Sequence, residues 1–379
     1  MSGGAAPRAA ADAPVIGVLG GGQLARMLAL AAIPLGLRVR CWDVSADAPA
    51  ACVSELLVGD FGDEPTLARF AAGLLAATFE FENIPAGLAR AIAARVATRP
   101  GPLALETGQD RIAEKTLFAR LGVPVHAFAG IDSMADLDAA IKGEVGLPCV
   151  IKTRRMGYDG KGQGVARTRD EAVVLVQTLG GKGLIAERFV PFERELSMIC
   201  VRGATGEVRT YPLIENRHAG GILRVSRAPA KGVSAKVSAD AAIYAKRILD
   251  ALEYVGVLTI EFFETREGLL ANEIAPRVHN SGHWTIEGAV TSQFENHVRA
   301  VAGLPLGACD ARGASAMVNL IGESPPREAV LAIPGARLHL YDKPPRPGRK
   351  VGHVTITADA CADLDAAVEA VRRLPGAMG

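Results

Sequence analysis

The sequence predicts a mixed α/β and α+β protein of two or three domains, and three observations carry that prediction. At 379 residues the chain exceeds what one ordinary hydrophobic core supports. Its first patterned stretch, Val15 to Asp43, reads strand, glycine-rich turn, helix, strand, the opening of a Rossmann-like parallel unit. From Leu258 to Ala275 the period changes to strand alternation on both sides of a short turn at Glu264 to Gly268, the mark of an antiparallel hairpin.

Composition narrows the class. Hydrophobic content of 49% and charged content of 22% describe a globular protein. A formal net charge of +1 with no long block of like charge sets nucleic acid aside as a partner. No apolar run is long enough to span a bilayer, so no membrane association is expected. The cysteines at positions 41, 52, 149, 200, 309 and 361 are scattered and form no Cys-x-x-Cys. They predict reduced thiols in the cytoplasm and no zinc site.

Taken in order, residues 1–13 are Ala- and Gly-rich without an apolar centre and read as a disordered leader, not a signal peptide. A first domain, 14–105, begins with a strand at Val15–Leu19, a helix at Leu24–Ala32 and a strand at Arg38–Trp42. Its alternation runs to Arg99-Pro-Gly-Pro102, a cluster of turn formers that closes it. A second domain, 106–305, starts with one helix over Thr107–Leu121. It carries a smaller α/β unit at about 122–190, with a helix at Ser133–Lys142 and a strand at Cys149–Lys152. A helix at Arg169–Leu179 and a strand at Leu184–Arg188 complete that unit. Residues 195–227 alternate as strands, Ala235–Leu252 is a long helix, and the hairpin is followed by a helix from about Ile286 to Ala302. Gly303-Leu-Pro-Leu-Gly307 marks a junction to a small α/β domain, 306–379, with a Pro-rich turn at Lys343–Lys350.

Five segments carry chemistry. In the hairpin, antiparallel pairing would set Glu261 near Glu273, and two carboxylates among apolar neighbours repel unless a cation lies between them. Mg²⁺ suits such a pair, because it takes few carboxylates and completes its shell with water and phosphate oxygens; Asn280 could add a neutral oxygen. The alternative is a hairpin whose acids touch only water. Gly20-x-Gly22-x-x-Ala25 follows a strand and opens a helix, with Asp43 near the place of a ribose-binding acid. Alone this favours NAD, or else merely a tight turn or another phosphate at a helix N-terminus. Arg155 to Gly164 is rich in glycine and lies between two strands, with Lys152 and Lys161 adding charge. It suits a lid over a triphosphate, and lacks the Gly-Lys-Ser/Thr of a Walker loop. Leu184–Val190 could offer backbone groups to an adenine edge, or be a plain edge strand. Glu195 and His218 are weak signals singly. The basic turn with Lys343, Arg346, Arg349 and Lys350 is either solvated or a site for a substrate phosphate.

Lys152, Gly157-Tyr-Asp-Gly-Lys-Gly-Gln163, Glu187, Glu261 and Asn272-Glu273 occur in the order of the ATP-grasp superfamily, which the chain resembles from about Val15 onward. Asn272-Glu-Ile-Ala-Pro-Arg-Val-His-Asn-Ser-Gly-His-Trp284 and Arg346-Pro-Gly-Arg-Lys-Val-Gly-His353 resemble one branch, the N5-carboxyaminoimidazole ribonucleotide synthetases. The resemblance implies a Rossmann-like pre-ATP-grasp domain that uses no nicotinamide, an ATP-grasp domain with a mobile lid subdomain, and a small C-terminal domain. It implies ATP- and bicarbonate-dependent carboxylation of 5-aminoimidazole ribonucleotide through carboxyphosphate, with Mg²⁺, or Mn²⁺ in its place, on Glu261 and Glu273. Nucleotide-binding positions would be Arg111, Lys152, Gly157, Tyr158, Asp159, Gly160, Lys161, Gly162 and Gln163. Glu187, Arg188, Phe189, Val190, Glu195, His218, Asn272 and Glu273 would join them. Tyr158, Asp159, Lys343, Arg349 and Lys350 would contact the ribonucleotide, together with Glu80 or else Glu82. Arg277, His279 and Asn280 would surround bicarbonate and the reacting amine, with either His279 or phosphate as the base. A homodimer and a separate mutase that takes the product are also implied. The competing readings are another ATP-grasp ligase, which would lack the Arg277–Trp284 run, and a non-catalytic nucleotide-binding regulator, which should have lost Lys152 or a metal-binding Glu.

Overall fold

Three sheets organise the chain. The computed structural model describes residues 13–157, 160, 162–359 and 361–377, so the predicted leader, apart from Ala13, lies outside the described residues. The first sheet is parallel, in the order β3-β2-β1-β4, from β1 (Val15–Leu19), β2 (Arg38–Asp43), β3 (Glu55–Val58) and β4 (Leu74–Phe79). Helices α1 (Gln23–Ala32), α2 (Glu64–Ala71) and α3 (Ala86–Ala93) connect and cover it. Apolar runs such as Ile16, Val18 and Leu19 are buried on both sides, as a parallel sheet requires.

The expected single helix at Thr107–Leu121 is two helices, α4 (Pro102–Gly108) and α5 (Arg111–Arg120). Asp110 is the reason. Its backbone is extended, at φ −127° and ψ 105°, and its carboxylate accepts from the amides of Ile112 and Ala113. An Asp so placed satisfies the orphan donors of a new helix and ends the old one.

A second, antiparallel sheet has the order β5-β8-β6-β7, from β5 (Phe128–Ile131), β6 (Cys149–Thr153), β7 (Gln163–Ala166) and β8 (Leu184–Arg188). Helices α6 (Met134–Lys142) and α7 (Arg169–Thr178) cover one face and enclose a core of their own around Leu137, Ile151 and Val176.

The third sheet is the largest. It takes in β9 (Arg194–Arg202), β10 (Val208–Thr210), β11 (Ile214–Ala219), β12 (Ile222–Ala228), β13 (Gly256–Thr265) and β14 (Gly268–Ala275). Helix α8 (Ala235–Ala251) packs on it through Ala241, Ala245 and Ile248. After the hairpin, the expected helix at Ile286–Ala302 is again broken, into α9 (Thr285–Gly288) and α10 (Gln293–Ala302). Ser292 starts the second piece by accepting from the Glu295 amide.

The expected small C-terminal α/β domain is built onto the same sheet. It contains β15 (Ala314–Ile321), α11 (Arg327–Leu331), β16 (Ala336–Leu340), β17 (Lys350–Ala358) and α12 (Cys361–Arg372). Strand β15 pairs with β12, so the sheet continues without interruption as β14-β13-β9-β11-β12-β15-β17-β16. Buried strand edges need partners, and β12 finds its partner here. No helix among the described residues is long and apolar enough to cross a membrane.

Candidate active site

A cavity of about 690 Å³ opens between the second sheet and the hairpin of the third. Register sets its most demanding feature. Strands β13 and β14 pair antiparallel with Glu261 directly opposite Glu273, so both side chains leave one face side by side. Burial and the Glu273 charge push the Glu261 carboxyl up to about 7. Burial would also raise Glu273, but Arg111, bonded to it at 2.8 Å, and then Lys152 and Lys115 outweigh burial and bring it down to about 2.

Behind this pair lies a second charge cluster. Glu187 of β8, 2% exposed, receives Lys152 at 2.6 Å, His126 at 3.0 Å and Lys115 at 3.3 Å. Burial raises Glu187, and the two ammonium groups overrule it and hold the carboxyl well below its usual range. Lys115 also donates to the Asn272 carbonyl at 2.9 Å, tying α5 to the hairpin. The Glu187 side chain is therefore an anchor for cations, and its strand, which the sequence left as either an adenine edge or a plain edge strand, lies inside the sheet between β5 and β6. Arg188, Phe189 and Val190 do line the cavity, as do Gly157, Gly160 and Gln163 of the glycine loop. Tyr158, Asp159 and Lys161 lie outside the described residues.

The segment after Glu273 closes the far end. Arg277 is paired in a bidentate fork with Glu82, and the ion pair holds the Glu82 carboxyl below its usual range despite burial. His279 places Nε2 3.2 Å from Glu261 and Nδ1 2.9 Å from the Ser281 hydroxyl. The Ser281 amide also donates to Nδ1, at 3.3 Å, which assigns the proton of the neutral ring to Nε2, facing Glu261. Burial, with Arg277 and Lys350 nearby, brings His279 down to about 3. Asn280 lies beside it with both amide atoms buried and unpartnered, and Asn272 Oδ1 is in the same condition. On the opposite wall Glu195 accepts from His218 at 2.6 Å.

The glycine turn of the first domain holds no anion from outside. Glu80, at the end of β4, accepts from the amides of Gly22 and Ala25, so its carboxylate occupies the N-terminus of α1. A Cβ on Gly22 would stand 2.5 Å from that carboxylate, which explains the glycine. Asp43 accepts from the Gly21 amide at 2.7 Å. Asp43, the acid of the apparent dinucleotide fingerprint, is thus spent on the turn itself, as is Glu80.

Three predicted residues fall away from the cavity wall. Gly162, at φ +71°, shapes the loop. Lys343 reaches the side chain of Gln23. Arg349 donates to the Pro344 carbonyl at 3.3 Å, within its own turn. Lys350 does line the cavity, with Glu80 and Glu82.

Residues 14–109 match the ribonucleotide synthetase preATP-grasp domain, 116–294 the ATP-grasp domain, and 315–367 the phosphoribosylaminoimidazole carboxylase C-terminal domain. The N5-carboxyaminoimidazole ribonucleotide synthase of Pseudomonas aeruginosa is 48% identical over 359 residues, spanning 95% of this chain and 99% of that protein. The crystal structure of N5-carboxyaminoimidazole ribonucleotide synthetase from Thermus thermophilus superposes with a TM-score of 0.92 at 56% identity, covering 95% of this chain and 98% of that one. The chain belongs to the N5-carboxyaminoimidazole ribonucleotide synthetase family. Membership makes it an ADP-forming ligase of purine biosynthesis that carboxylates 5-aminoimidazole ribonucleotide at the expense of ATP. A further relative, N5-carboxyaminoimidazole synthase from Aspergillus clavatus, has been solved in complex with ADP and 5-aminoimidazole ribonucleotide. It superposes with a TM-score of 0.88 at 30% identity, covering 94% of this chain and 97% of that one.

Within this family frame, several residues of the cavity went unread in the sequence. Glu114 on the wall and Lys115 buried beside it share a face of α5 with Arg111 at helical spacing, a face that lay within the predicted helix without being read as part of the site. Gln109, by contrast, donates to the Glu82 and Ile84 carbonyls and fixes the loop that carries Glu82. His126 and Tyr341 come from distant segments and gave no local signal, whereas His283 lay inside the Asn272–Trp284 run without being assigned a role. The donor set suits a divalent cation of the Mg²⁺ kind. Two carboxylates face one another, and the buried, unpartnered amide oxygens of Asn272 and Asn280 belong to residues lining the same cavity. Such a site leaves most of the shell to water and phosphate.

Proposed function

We propose that the cavity binds ATP against Arg111, Lys152, the glycine loop and the Arg188–Val190 strand end, and activates bicarbonate for transfer to 5-aminoimidazole ribonucleotide. The observation that carries this reading is the register of Glu261 on Glu273 beside the Lys152–Glu187–Lys115 cluster, in one cavity. It supports a cation site on one flank of a polyphosphate and fixed ammonium groups on the other. Glu261 and Glu273 would hold Mg²⁺, which supplies charge neutralisation of the β- and γ-phosphates. Lys152 and the loop amides stabilise the same charge from the protein side.

In the proposed sequence a bicarbonate oxygen attacks the γ-phosphorus and ADP leaves. The exocyclic amine of the ribonucleotide then attacks the carboxyphosphate carbon, and phosphate departs. Arg277, fixed by Glu82, orients the bicarbonate anion, and Asn280 offers the buried amide to the carboxyl group. His279, held near 3, is a poor proton acceptor at neutral pH. We therefore assign the amine proton to the departing phosphate, and give His279 the task of holding Glu261 through Nε2. Glu80, Lys350 and Gln23, the last held by Lys343 from outside the wall, face the ribonucleotide. The unit at Phe128–Arg188 acts as a lid that keeps water from carboxyphosphate. On the same reading the three parts divide near residues 105 and 305, and the chain pairs as a homodimer. It works in the cytoplasm, in keeping with the free thiols of Cys41, Cys52, Cys149, Cys200 and Cys309, and its labile product goes to a separate mutase.

The test is ADP release measured with ATP, bicarbonate and 5-aminoimidazole ribonucleotide, each omitted in turn, with labelled bicarbonate followed into acid-labile product. ADP and labelled product should appear together only in the complete mixture. ADP formation independent of bicarbonate would overturn the proposed order of steps.

A further inference from the structure

A second cavity, of about 170 Å³, lies between the β11–β12 hairpin and α12. Its lining includes Arg217, Arg224, Arg227 and Arg372, with His218, Ala219, Val225 and Val368 completing the wall. Carboxylates answer most of this charge from the side. Glu215 lies 3.8 Å from Arg217, Asp365 pairs with Arg227 and is shared with Lys231, and Glu369 takes Arg372 at 2.8 Å. Arg224 has no such answer. Its side chain makes no hydrogen bond or ion pair with any described residue, and its Nε is buried without a partner. Arg227 Nε is buried and unpartnered as well.

A partly buried guanidinium without a counter-charge is costly. A cavity that sets one such guanidinium, Arg224, beside three others whose carboxylates are shared or lie to the side favours an anion as its counter-charge. The guanidinium fork matches tetrahedral oxyanions, and the volume admits one phosphoryl group but no nucleoside. We propose that this cavity is a second anion site for inorganic phosphate or a single phosphoryl group, separate from the main cavity and sharing His218 with it as a common wall. His218 lines both cavities and holds Glu195 at 2.6 Å on the main-cavity side. An anion in the small cavity fixes the imidazole from behind and so bears on the larger site. This coupling rests on reading the main cavity as the nucleotide site; the binding itself does not.

The experiment is calorimetric titration of inorganic phosphate into the full-length protein already saturated with ADP and 5-aminoimidazole ribonucleotide. The preceding ADP titration tests the main-cavity reading separately, since a failure there shows before any phosphate is added. Wild-type protein should take up one phosphate, sulfate should compete, and chloride at the same ionic strength should not. Arg224→Gln should weaken that uptake at least tenfold while leaving ADP affinity and basal turnover unchanged. Because loss of a guanidinium could also disturb packing, Ala219→Glu supplies a second arm. It places a carboxylate in the cavity, so it should abolish phosphate uptake and raise the melting temperature. Pyrophosphate and AMP distinguish a free anion from a phosphoryl group on a larger molecule: uptake of both would point to an open mouth, and uptake of phosphate alone to a closed one. No phosphate uptake by the saturated wild type, or uptake unchanged in both variants, would overturn the proposal.

Discussion

At the residue scale the site is a set of charges that need one another. Glu187 is the clearest case, since it pairs with both Lys152 and Lys115, the latter 0% exposed. Its carboxyl is held well below the usual range, so its stabilisation is present above about pH 4.5 and is lost as pH falls toward the folded value. Glu187→Gln should cost about 3–5 kcal/mol in urea unfolding at pH 7, the usual result of leaving a buried charge unpaired. A loss under about 1 kcal/mol would show that the lysines do not depend on it. The Glu261–Glu273 pair gives a second prediction. The Glu273 charge is one of the two main causes that push Glu261 up to about 7. In Mg²⁺-free buffer, Glu273→Gln should bring the Glu261 titration down, read from its side-chain carbon resonance; an unmoved midpoint would leave burial as the sole cause. Both acids were legible in the sequence because alternation on either side of a short turn fixes register. The Glu187 cluster was not, because its members come from separate elements and no local period joins them.

At the element scale the glycine loop and the β11–β12 turn act on each other. Gly160 sits at φ +72°, and a Cβ there would lie 2.7 Å from the Gly221 backbone, so the loop rests against the neighbouring hairpin without a side chain between them. Gly160→Ala combines left-handed strain with that clash, each of order 1–3 kcal/mol. The KM for ATP should rise at least tenfold while the melting temperature shifts by less than about 2 °C, because the loop lies outside every core cluster. An unchanged KM would mean that this contact plays no part in nucleotide binding. Element identity was largely readable, since the strands at Val15, Cys149 and Leu184 and the helices at Arg169 and Ala235 follow their periods. The two misread helices share a cause. A polar residue inside a helical period, Asp110 in one case and Ser292 in the other, caps a new helix, and periodicity alone does not register a cap.

At the scale of the whole molecule, buried neutral histidines set the acid limit. Burial brings His279 down to about 3 and His297 to about 4, and holds His283 and His353 well below 6.5. His297 joins two sheets, accepting from the Val257 amide at 3.0 Å and meeting the Thr78 hydroxyl at 2.9 Å. The stability these four contribute is whole above pH 6.5 and lost as pH falls toward their folded values. Glu261, raised to about 7, and Glu114, raised to about 8, act in the opposite sense, their contribution being complete below about pH 4.5. The histidines outnumber them, so stability should fall between pH 6.5 and 4.5 by up to roughly 3 kcal/mol per pH unit, the effect of about two protons. Urea unfolding at pH 7, 6 and 5 in Mg²⁺-free buffer measures it, and a flat profile would contradict it. Domain order was legible from composition and turn clusters, but the fusion of β15 to β12 was not, because pairing across so long an interval leaves no mark in a local window. That seam also bears on synthesis. Strand β12 ends at Ala228 and its neighbour β15 begins at Ala314, so the ribosome must add close to ninety residues before the open edge can be covered. At about 5–20 residues per second that is a delay of roughly 5–20 s. Throughout it the nascent chain presents an unpaired strand, the period in which a chaperone or a neighbouring polysome chain competes for it.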